Sequence, residues 1–339
     1  MAKKYRVGIA SMVHDHVWGE IGHWKSLPNV ELVAAADING PLRDKAVADA
    51  GVAHIYESWR EMLDREHLDI VQAAAENNAG AEIVEECAKR GIHVISEKPM
   101  AATLAQADRM LKASVDGKIK LLINWPTAWS PVFQEWKNQI EAGQIGRITY
   151  IKYRSAHNGP KEIGCSPYFW GWLYDAEKNG AGALMDYCCY AADMAALLLG
   201  LPKSVTGIRG TLVKDYPIPD DNAIILMKYP GAFGVAEASW TQTVPYAEGA
   251  NPVAYGTEGS VAVSAGKVVV QRPQTDPLTI TPAELVFPHR SGPEYLIYCI
   301  ENDLPVAGFC SPKVSRDAQA ILEAGLQSAD TGRTIDIDV

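Results

Sequence analysis

Two separate segments of the sequence carry side chains that could move a proton. Lys98 stands three residues after Ile95, the end of an apolar segment of strand length. Asp186, Tyr190 and Asp193 occur at positions i, i+4 and i+7 of a stretch rich in alanine and leucine, so a helix places them on one face. Together the two segments offer an ammonium group, two carboxylates and a phenol.

This set of groups is suited to oxidising a secondary alcohol. When a hydride leaves carbon for a redox cofactor, the protein must take the hydroxyl proton. An isolated tyrosine has a pKa of about 10, and a neighbouring ammonium group lowers that pKa. We therefore predict Tyr190 as the acid/base group and Lys98 as its electrostatic partner, with the reverse assignment left open. The alternatives are a surface lysine paired with Glu97 and a packing tyrosine whose hydroxyl binds Asp186.

The elements that position Lys98 follow from an alternation of strands and helices in the first half. Pro99 keeps Lys98 out of the helical conformation, and Thr103 with Gln106 forms a capping-box pattern that begins the next helix. The alternation predicts a Rossmann-type domain over residues 1–124, a doubly wound parallel sheet with ligands outside the carboxyl ends of its strands. The predicted strands are 5–10, 30–36, 54–56, 69–75, 92–96 and 119–124, and the predicted helices are 16–27, 41–50, 59–64, 79–90 and 103–115.

Asp37 stands at the end of the second predicted strand. A carboxylate there can accept hydrogen bonds from both hydroxyls of an adenosine ribose and repels a 2′-phosphate. We therefore predict NAD as the cofactor, with NADP disfavoured. The alternative is an aspartate that only caps the next helix, and Arg43 is the residue that could weaken the preference.

Residues 125–339 are predicted to form a second, α+β domain for substrate binding and oligomerisation. Close spacing of short strands with glycine and proline turns favours a large, mostly antiparallel sheet. We expect helices over 291–302 and 311–330, which return toward the first domain. The predicted strands are 147–156, 203–213, 222–229, 233–242, 252–257 and 260–271.

Two motifs resemble those of a known family. The run Gly-Ile-His-Val-Ile-Ser-Glu-Lys-Pro-Met over residues 91–100 resembles the Glu-Lys-Pro signature of the Gfo/Idh/MocA oxidoreductases. The segment from Asn179 onward resembles that family's glycine-rich helix, with tyrosine in the usual histidine position. The resemblance covers nearly the full chain and is nearest to the glucose–fructose oxidoreductase, xylose dehydrogenase and dihydrodiol dehydrogenase branch. It implies that Lys98, Asp186 and Tyr190 handle a sugar hydroxyl.

The chain departs from the family pattern at several positions. Ser11, Val13 and His16 stand where the family has the glycines of G-x-G-x-x-G, so the loop loses conformational freedom and close approach to a pyrophosphate. The amides of the following helix remain available to phosphate. Cys188 replaces a usual glycine and is expected to crowd the pocket floor. Asn77 matches a Pro-Asn-x-x-His pattern whose proline and histidine are absent. The predicted cofactor contacts are Ser11, His14, Asp37, Asn77, Glu97 and Lys98.

Two further groups of residues are ambiguous. His14-Asp15-His16 could share a metal ion, but two histidines are a weak signal and a solvated or phosphate-facing loop is favoured, so we predict no metal site. Sugar rings stack their C–H faces on aromatic side chains, and residues 168–175 are dense in aromatics. Packing between domains or subunits is an equally good explanation of those rings. The predicted substrate contacts are His157, Trp170, Trp172 and Asp186.

Composition excludes several classes of partner. The chain has 339 residues and a formal net charge of −10, which argues against a nucleic acid or an anionic membrane. No uninterrupted apolar run reaches the roughly 20 residues of a membrane helix. The six cysteines show no CxxC spacing, so a reducing, cytoplasmic location is expected.

Three functions are compatible with these features. The leading hypothesis is an NAD-dependent dehydrogenase that acts on a small carbohydrate substrate, working as a homodimer or homotetramer through the second sheet. The second is a redox-neutral enzyme that retains NAD and cleaves or epimerises a glycoside. The third is a ligand-sensing regulator of the same fold, an option left open by the altered glycine loop.

Overall fold

A computed structural model of the chain describes residues 3–244 and 249–337. Within these residues the first half contains a parallel sheet of six strands in the order β3-β2-β1-β4-β5-β6. This order places the ligand crevice at the switch point between β1 and β4, as in dinucleotide-binding folds. The strands are β1 (Tyr5–Ala10), β2 (Val30–Ala36), β3 (His54–Tyr56), β4 (Ile70–Ala73), β5 (His93–Glu97) and β6 (Leu121–Asn124).

Helices cover both faces of this sheet, which explains why its strands are continuous apolar runs. The predicted capping box before α5 is present, because Thr103 Oγ1 accepts from the Gln106 N–H and Gln106 Oε1 accepts from the Thr103 N–H. The boundary of the loop that carries Lys98 is thereby fixed. The helices are α1 (Val17–Ser26), α2 (Gly40–Ala50), α3 (Trp59–Arg65), α4 (Gly80–Lys89) and α5 (Leu104–Asp116).

The second half contains a larger, mixed sheet in the order β14-β13-β12-β11-β7-β10-β9-β8-β15. Only β7 and β10 pair in parallel among its described strands, and the other neighbours are antiparallel. The strands are β7 (Ile148–Ala156), β8 (Ser204–Gly210), β9 (Asn222–Tyr229), β10 (Ala232–Ser239), β11 (Val253–Gly256), β12 (Ser260–Ser264), β13 (Lys267–Gln271), β14 (Leu278–Ile280) and β15 (Ile335–Asp336).

The helices of the second half connect the two sheets. The apolar helix α9 packs on β7, β9 and β10, and α11 packs on α9 and β8 as well as on α5 and β6. Helix α10 contacts α1, β5 and β6. Helices α10 and α11 therefore hold the second half against the first sheet at β5 and β6. The helices are α6 (Pro131–Glu141), α7 (Pro167–Leu173), α8 (Ala176–Asn179), α9 (Ala183–Leu199), α10 (Gly292–Glu301) and α11 (Pro312–Thr331).

The sequence prediction of a single strand over 260–271 is wrong. Two strands, β12 and β13, form a hairpin here, and its turn at Ala265 and Gly266 has φ angles of 48° and 73°. Only glycine readily takes such positive φ values, so Gly266 was the available signal for a turn. The short elements α7, β14 and β15 were not predicted, because each has too few residues to show a clear period.

Within the described parts of the chain, one helical stretch, Ala176–Leu199, is long and apolar enough to cross a membrane by length and composition alone. However, 72% of its most apolar window is buried inside the protein. That burial is explained by the packing of α9 between the second sheet and α11. The stretch is the core helix of the second half.

Helix α9 also holds an unpaired carboxyl group. Asp193 is buried, and neither of its carboxylate oxygens has a hydrogen-bond partner among the described residues. Burial raises the pKa of Asp193 well above its ordinary value, because the charged form would lose its hydration. The structure therefore favours the protonated acid at this position.

We predict that Asp193→Asn stabilises the protein increasingly as pH rises. When folding raises the pKa of an acid, the free energy of unfolding falls as pH rises from the pKa of the unfolded state toward that of the folded state. The loss is up to about 1.4 kcal/mol per pH unit. The neutral asparagine does not titrate, so the difference in unfolding free energy between variant and parent should grow between about pH 5 and pH 7. Urea unfolding across that range measures it. Parallel pH profiles for the two proteins would contradict the assignment.

Candidate active site

Lys98 and Asp186 form a buried ion pair between the two sheets. The Lys98 Nζ atom donates to Asp186 Oδ1 at 2.8 Å and to the Asp186 backbone oxygen at 3.3 Å. The two residues are 3% and 5% exposed. Burial alone would lower the pKa of Lys98, but the Asp186 charge, with smaller contributions from Tyr190 and Cys189, outweighs burial and holds that pKa well above its usual value. Lys98 is therefore a fixed positive charge at the carboxyl end of β5.

Tyr190 lies beside this charge, as the helical spacing predicts. The Lys98 Nζ atom is 4.7 Å from the centroid of the Tyr190 ring and 5.9 Å from that of Tyr187. These distances are those of cation–π contacts. The ammonium group and the phenol predicted from two distant segments thus share one cleft.

The expected lowering of the Tyr190 pKa is wrong in its net direction. Burial raises the pKa of Tyr190 well above its ordinary value, although the Lys98 charge opposes this shift. The sequence identifies the neighbouring charge but does not reveal how completely the site excludes water. Tyr190 is consequently a protonated phenol at neutral pH.

The start of α9 is fixed by Asp220, which is fully buried. Its carboxylate accepts from the Gly182 N–H at 3.0 Å and from the Leu184 N–H at 2.7 Å, and Arg209 donates to it at 3.2 Å. A Cβ atom at position 182 would lie 2.2 Å from the Asp220 backbone oxygen, so only glycine fits. This contact sets the register of the helix and hence the position of Asp186.

His157 follows β7 and faces the same cleft. Its ring centroid is 4.8 Å from that of Tyr187, and its Nδ1 atom accepts from the Gly159 N–H at 2.8 Å. Burial lowers the pKa of His157, with Asp186 opposing the shift. The ring is therefore neutral near pH 7, and the hydrogen bond to Nδ1 assigns the proton to Nε2. Such a group can donate to a substrate oxygen, and this role stays a prediction.

The two tryptophans predicted as substrate contacts occupy different surroundings. Trp172 is buried, its Nε1 donates to the Val13 backbone oxygen at 3.4 Å, and its ring packs on His14 and Phe169. It therefore packs the interface between the two halves, which was the alternative explanation. Trp170 is partly exposed against Tyr174, so a sugar contact there stays a prediction.

Two other expected site residues have protein partners. The Cys188 thiol points at the Ala236 backbone oxygen of β10, 3.8 Å away, so it packs on the sheet and does not crowd a pocket floor. Asn77 donates to Asn179 Oδ1 at 2.8 Å and to the Asn179 backbone oxygen at 3.2 Å. Asn77 thus ties the fourth strand's loop to the segment before α9, and a cofactor contact by Asn77 stays a prediction.

The phosphate loop keeps one essential feature of the glycine motif. Ser11 has a φ of 65°, the left-handed conformation that the first glycine normally supplies. Asp37 Oδ2 accepts from the Met12 N–H at 2.6 Å and from Ser11 Oγ at 3.3 Å, and its Oδ1 accepts from the Asn39 side chain at 2.8 Å. Both oxygens of the Asp37 carboxylate thus have partners within the protein. A contact between this carboxylate and the ribose hydroxyls of NAD stays a prediction.

Arg43 does not weaken the preference for NAD. Its guanidinium donates to the backbone oxygens of Asp37 at 2.8 Å and Ile38 at 3.1 Å, and to Glu57 at 2.9 Å. A 2′-phosphate would have to displace these contacts and would also face the Asp37 carboxylate. Both effects favour a ribose without a phosphate.

The remaining two expected cofactor residues are buried polar groups at the strand ends. His14 packs against Phe169 after β1, and Glu97 at the end of β5 accepts from Asn124 at 2.9 Å. Their side chains lie close to one another across the crevice. Cofactor contacts by either residue stay predictions.

Comparison with known proteins identifies the family. Residues 10–124 match the model of the oxidoreductase family with an NAD-binding Rossmann fold, and residues 133–262 match that of the GFO/IDH/MocA C-terminal domain. The chain belongs to the Gfo/Idh/MocA family of oxidoreductases. The resemblance seen in the Glu-Lys-Pro run is thus confirmed, and so is NAD as the cofactor type of the first half.

Several curated relatives of the chain are dehydrogenases of sugars or inositols. Levoglucosan dehydrogenase of Pseudarthrobacter phenanthrenivorans is 29% identical over 215 residues, which is 62% of this chain. The matched region spans only 52% of that enzyme's length. D-apiose dehydrogenase of Rhizobium rhizogenes is 25% identical over 93% of this chain and 92% of its own.

Solved structures share the complete architecture. The complex of levoglucosan dehydrogenase with NADH and levoglucosan has a TM-score of 0.82 at 21% identity, with 99% of this chain and 100% of that chain covered. Aldose-aldose oxidoreductase from Caulobacter crescentus has a TM-score of 0.81 at 20% identity, with 99% and 100% covered. At these identities the likeness confirms the fold.

We predict that Asp37→Ser weakens NAD⁺ binding and reduces the discrimination against NADP⁺. Loss of hydrogen bonds to a charged group costs about 1.5–3 kcal/mol, or roughly 10- to 100-fold in Kd. NADP⁺ binding should change less, because the repulsion of its 2′-phosphate is also lost. Calorimetric titration with both nucleotides measures the ratio of the two Kd values. An unchanged ratio would exclude Asp37 as the ribose ligand.

Sequence reasoning missed three residues that shape the site. Tyr187 follows the predicted catalytic residue Asp186 in the sequence, and its ring contacts both His157 and Lys98. Asp220 holds the start of α9 from a distant loop. Asn124, the last residue of β6, was visible as a polar residue at a strand end, which is where such folds collect functional groups.

Proposed function

We propose that this chain is an NAD-dependent oxidoreductase that oxidises or reduces a secondary hydroxyl of a sugar, polyol or glycoside. The observation that carries the proposal is the buried Lys98–Asp186 pair with the Tyr190 ring beside it, at the carboxyl edge of an NAD-binding sheet. The curated relatives that act on levoglucosan, apiose and inositols support the substrate class.

Each group has a distinct role in this proposal. Lys98 donates to the reacting oxygen and stabilises negative charge on it, while Asp186 holds the ammonium group in place. Tyr190 exchanges the proton with that oxygen, and His157 binds a neighbouring hydroxyl through Nε2. NAD supplies the hydride acceptor when bound. A closed, water-poor cleft strengthens the effect of the Lys98 charge.

The raised pKa of Tyr190 sets the direction of the pH dependence. A protonated phenol is ready to give its proton to a carbonyl oxygen, so ketone reduction should proceed well at neutral pH. Oxidation requires the deprotonated phenol, and its rate should increase with pH, about tenfold per unit below the pKa of Tyr190. Around neutral pH the reduction rate should therefore be nearly independent of the protonation of Tyr190, whereas the oxidation rate should rise with pH.

The function is tested with purified protein, NAD⁺ and a panel of pyranoses, inositols and levoglucosan. NADH accumulation with at least one of these substrates, and less with NADP⁺, is the expected result. Product formation without net NADH would identify the redox-neutral alternative. No turnover and no binding of NAD⁺ would overturn the proposal.

We predict that Tyr190→Phe lowers kcat about 10²–10⁴-fold, the usual contribution of a positioned acid/base group. KM should change little, because the ring and its contact with Lys98 are kept. The rise of the oxidation rate with pH should also disappear. Steady-state kinetics over pH measure both effects, and Tyr298→Phe on α10 serves as the control. A small change in kcat with an intact pH profile would reject Tyr190 as the proton-transfer group.

We further propose that the outer face of the second sheet joins two or more copies of the chain. Alternate residues of β9 are buried against the helices, whereas Ile224 and Leu226 are exposed, with Ile208 and Phe233 exposed on neighbouring strands. Lys228 and Glu237 lie on the same face, and exposed apolar side chains bordered by polar ones in this way favour an association surface.

We predict that the double variant Ile224→Lys, Leu226→Lys is monomeric. Lysines on the open face would be desolvated in an interface and would remain hydrated in a monomer. Light scattering coupled to size exclusion should give at least a dimer for the parent and a monomer for the variant. A monomeric parent at micromolar concentration would refute the proposed assembly.

A further inference from the structure

Three metal-ligating side chains meet at the carboxyl edge of the first sheet. The candidate ligand atoms of His14, His16 and Glu97 all lie within 4.8 Å of one another. His16 Nδ1 and Glu97 Oε2 are 3.1 Å apart, and the rings of the two histidines have centroids 4.4 Å apart. The sequence showed only the histidine pair, from which we predicted no metal site. The third candidate ligand lies on a strand 81 residues away and was not visible in that pattern.

A buried hydrogen-bond network fixes the orientation of Glu97. Its Oε1 atom accepts from Asn124 Nδ2 at 2.9 Å and from Gln72 Nε2 at 3.4 Å. The side-chain amides of Asn124 and Gln72 are themselves fixed by hydrogen bonds, because Trp129 donates to Asn124 at 2.8 Å and Trp24 donates to Gln72 at 3.2 Å. Oε1 is thereby saturated and Oε2 faces the histidines. Outer hydrogen bonds that orient a carboxylate ligand in this way are a regular part of metal sites.

The buried position of His14 favours a neutral imidazole, which is the form that binds a metal ion. His14 is 1% exposed and packed against Phe169 and Trp172. A long hydrogen bond of 3.3 Å, from the His16 N–H to Nδ1, engages its ring weakly. Asp15 does not compete for the site, because its carboxylate accepts from the Ser166 N–H at 2.7 Å.

We propose that His14, His16 and Glu97 bind a divalent transition-metal ion of the zinc type. Two imidazoles and one carboxylate suit Zn²⁺ and its neighbours, whereas Mg²⁺ and Ca²⁺ prefer oxygen ligands. In a tetrahedral zinc site with ligand distances of about 2.0–2.2 Å, the ligand atoms are about 3.4 Å apart. The present spacing therefore requires side-chain movements of little more than about 1 Å.

The proposed metal site has an open coordination position, and the positive charge of the nearby Lys98 is already paired. Three protein ligands leave at least one coordination position for an external oxygen ligand, which is the arrangement of catalytic and not of structural zinc sites. The nearby ammonium of Lys98 is neutralised by Asp186, so the Glu97 carboxylate faces the metal without a competing cation of its own. The site lies in the crevice, beside the residues assigned to the reaction.

The test uses full-length, tag-free protein, stripped with a chelator and titrated with Co²⁺, whose visible absorption reports its ligands. We expect one equivalent of Co²⁺ to bind, and Zn²⁺ to displace it. His16→Gln and Glu97→Gln should each weaken binding about 100-fold or more, since even loss of an outer hydrogen bond costs 10–100-fold. Glu97→Gln keeps the acceptor for Asn124 and so preserves the network.

His54→Gln is the matched control, because the exposed His54 forms a histidine–glutamate pair with Glu66 elsewhere in the first half. Its Co²⁺ affinity should equal that of the parent. Circular dichroism of each variant verifies that it is folded. Absence of stoichiometric Co²⁺ binding in the parent, or parental affinity in both His16→Gln and Glu97→Gln, would overturn the proposal. Neither the Co²⁺ titration nor circular dichroism depends on the proposed dehydrogenase activity.

Discussion

The buried contact between Lys98 and Asp186 is the interaction on which the rest of the site depends. Removing two charges from water costs several kcal/mol per ion, and loss of one partner leaves the other uncompensated at about 3–5 kcal/mol. The pair joins the residue that follows β5 to the first turn of α9, so both sheets must keep their relative positions for the charges to meet. The same geometry holds a cation against the Tyr190 ring.

Much of the first half could be predicted because its signals are local. Apolar runs, glycine stops and the Thr103 capping box lie within single elements, and they place Asp37 and Lys98 at strand ends without further information. The helical period likewise places Asp186 and Tyr190 on one face. What the sequence did not provide was the contact between elements. The bonds of Asp220 to Gly182 and Leu184 span 38 and 36 residues, and no local pattern indicates them.

Burial is the second quantity that the sequence did not provide. A nearby lysine predicts a lowered pKa for Tyr190, yet the surrounding packing reverses the direction. In the altered phosphate loop, the sequence predicted a loss of conformational freedom that the backbone does not show. Ser11 replaces a glycine and still takes a φ of 65°, so the backbone keeps a conformation that the residue type alone disfavours. Strand order and the bonds to Asp37 determine this loop more strongly than its composition does.

Through Arg209, Asp220 connects the start of α9 to Asp330 at the protein surface. Arg209, on β8, binds Asp220 with one end of its guanidinium and Asp330 near the end of α11 with the other, at 3.2 Å and 2.7 Å. Loss of Arg209 or Asp330 would leave Asp220 without this support, although neither residue lies inside the cleft. The position of α9 thus depends in part on contacts at the protein surface.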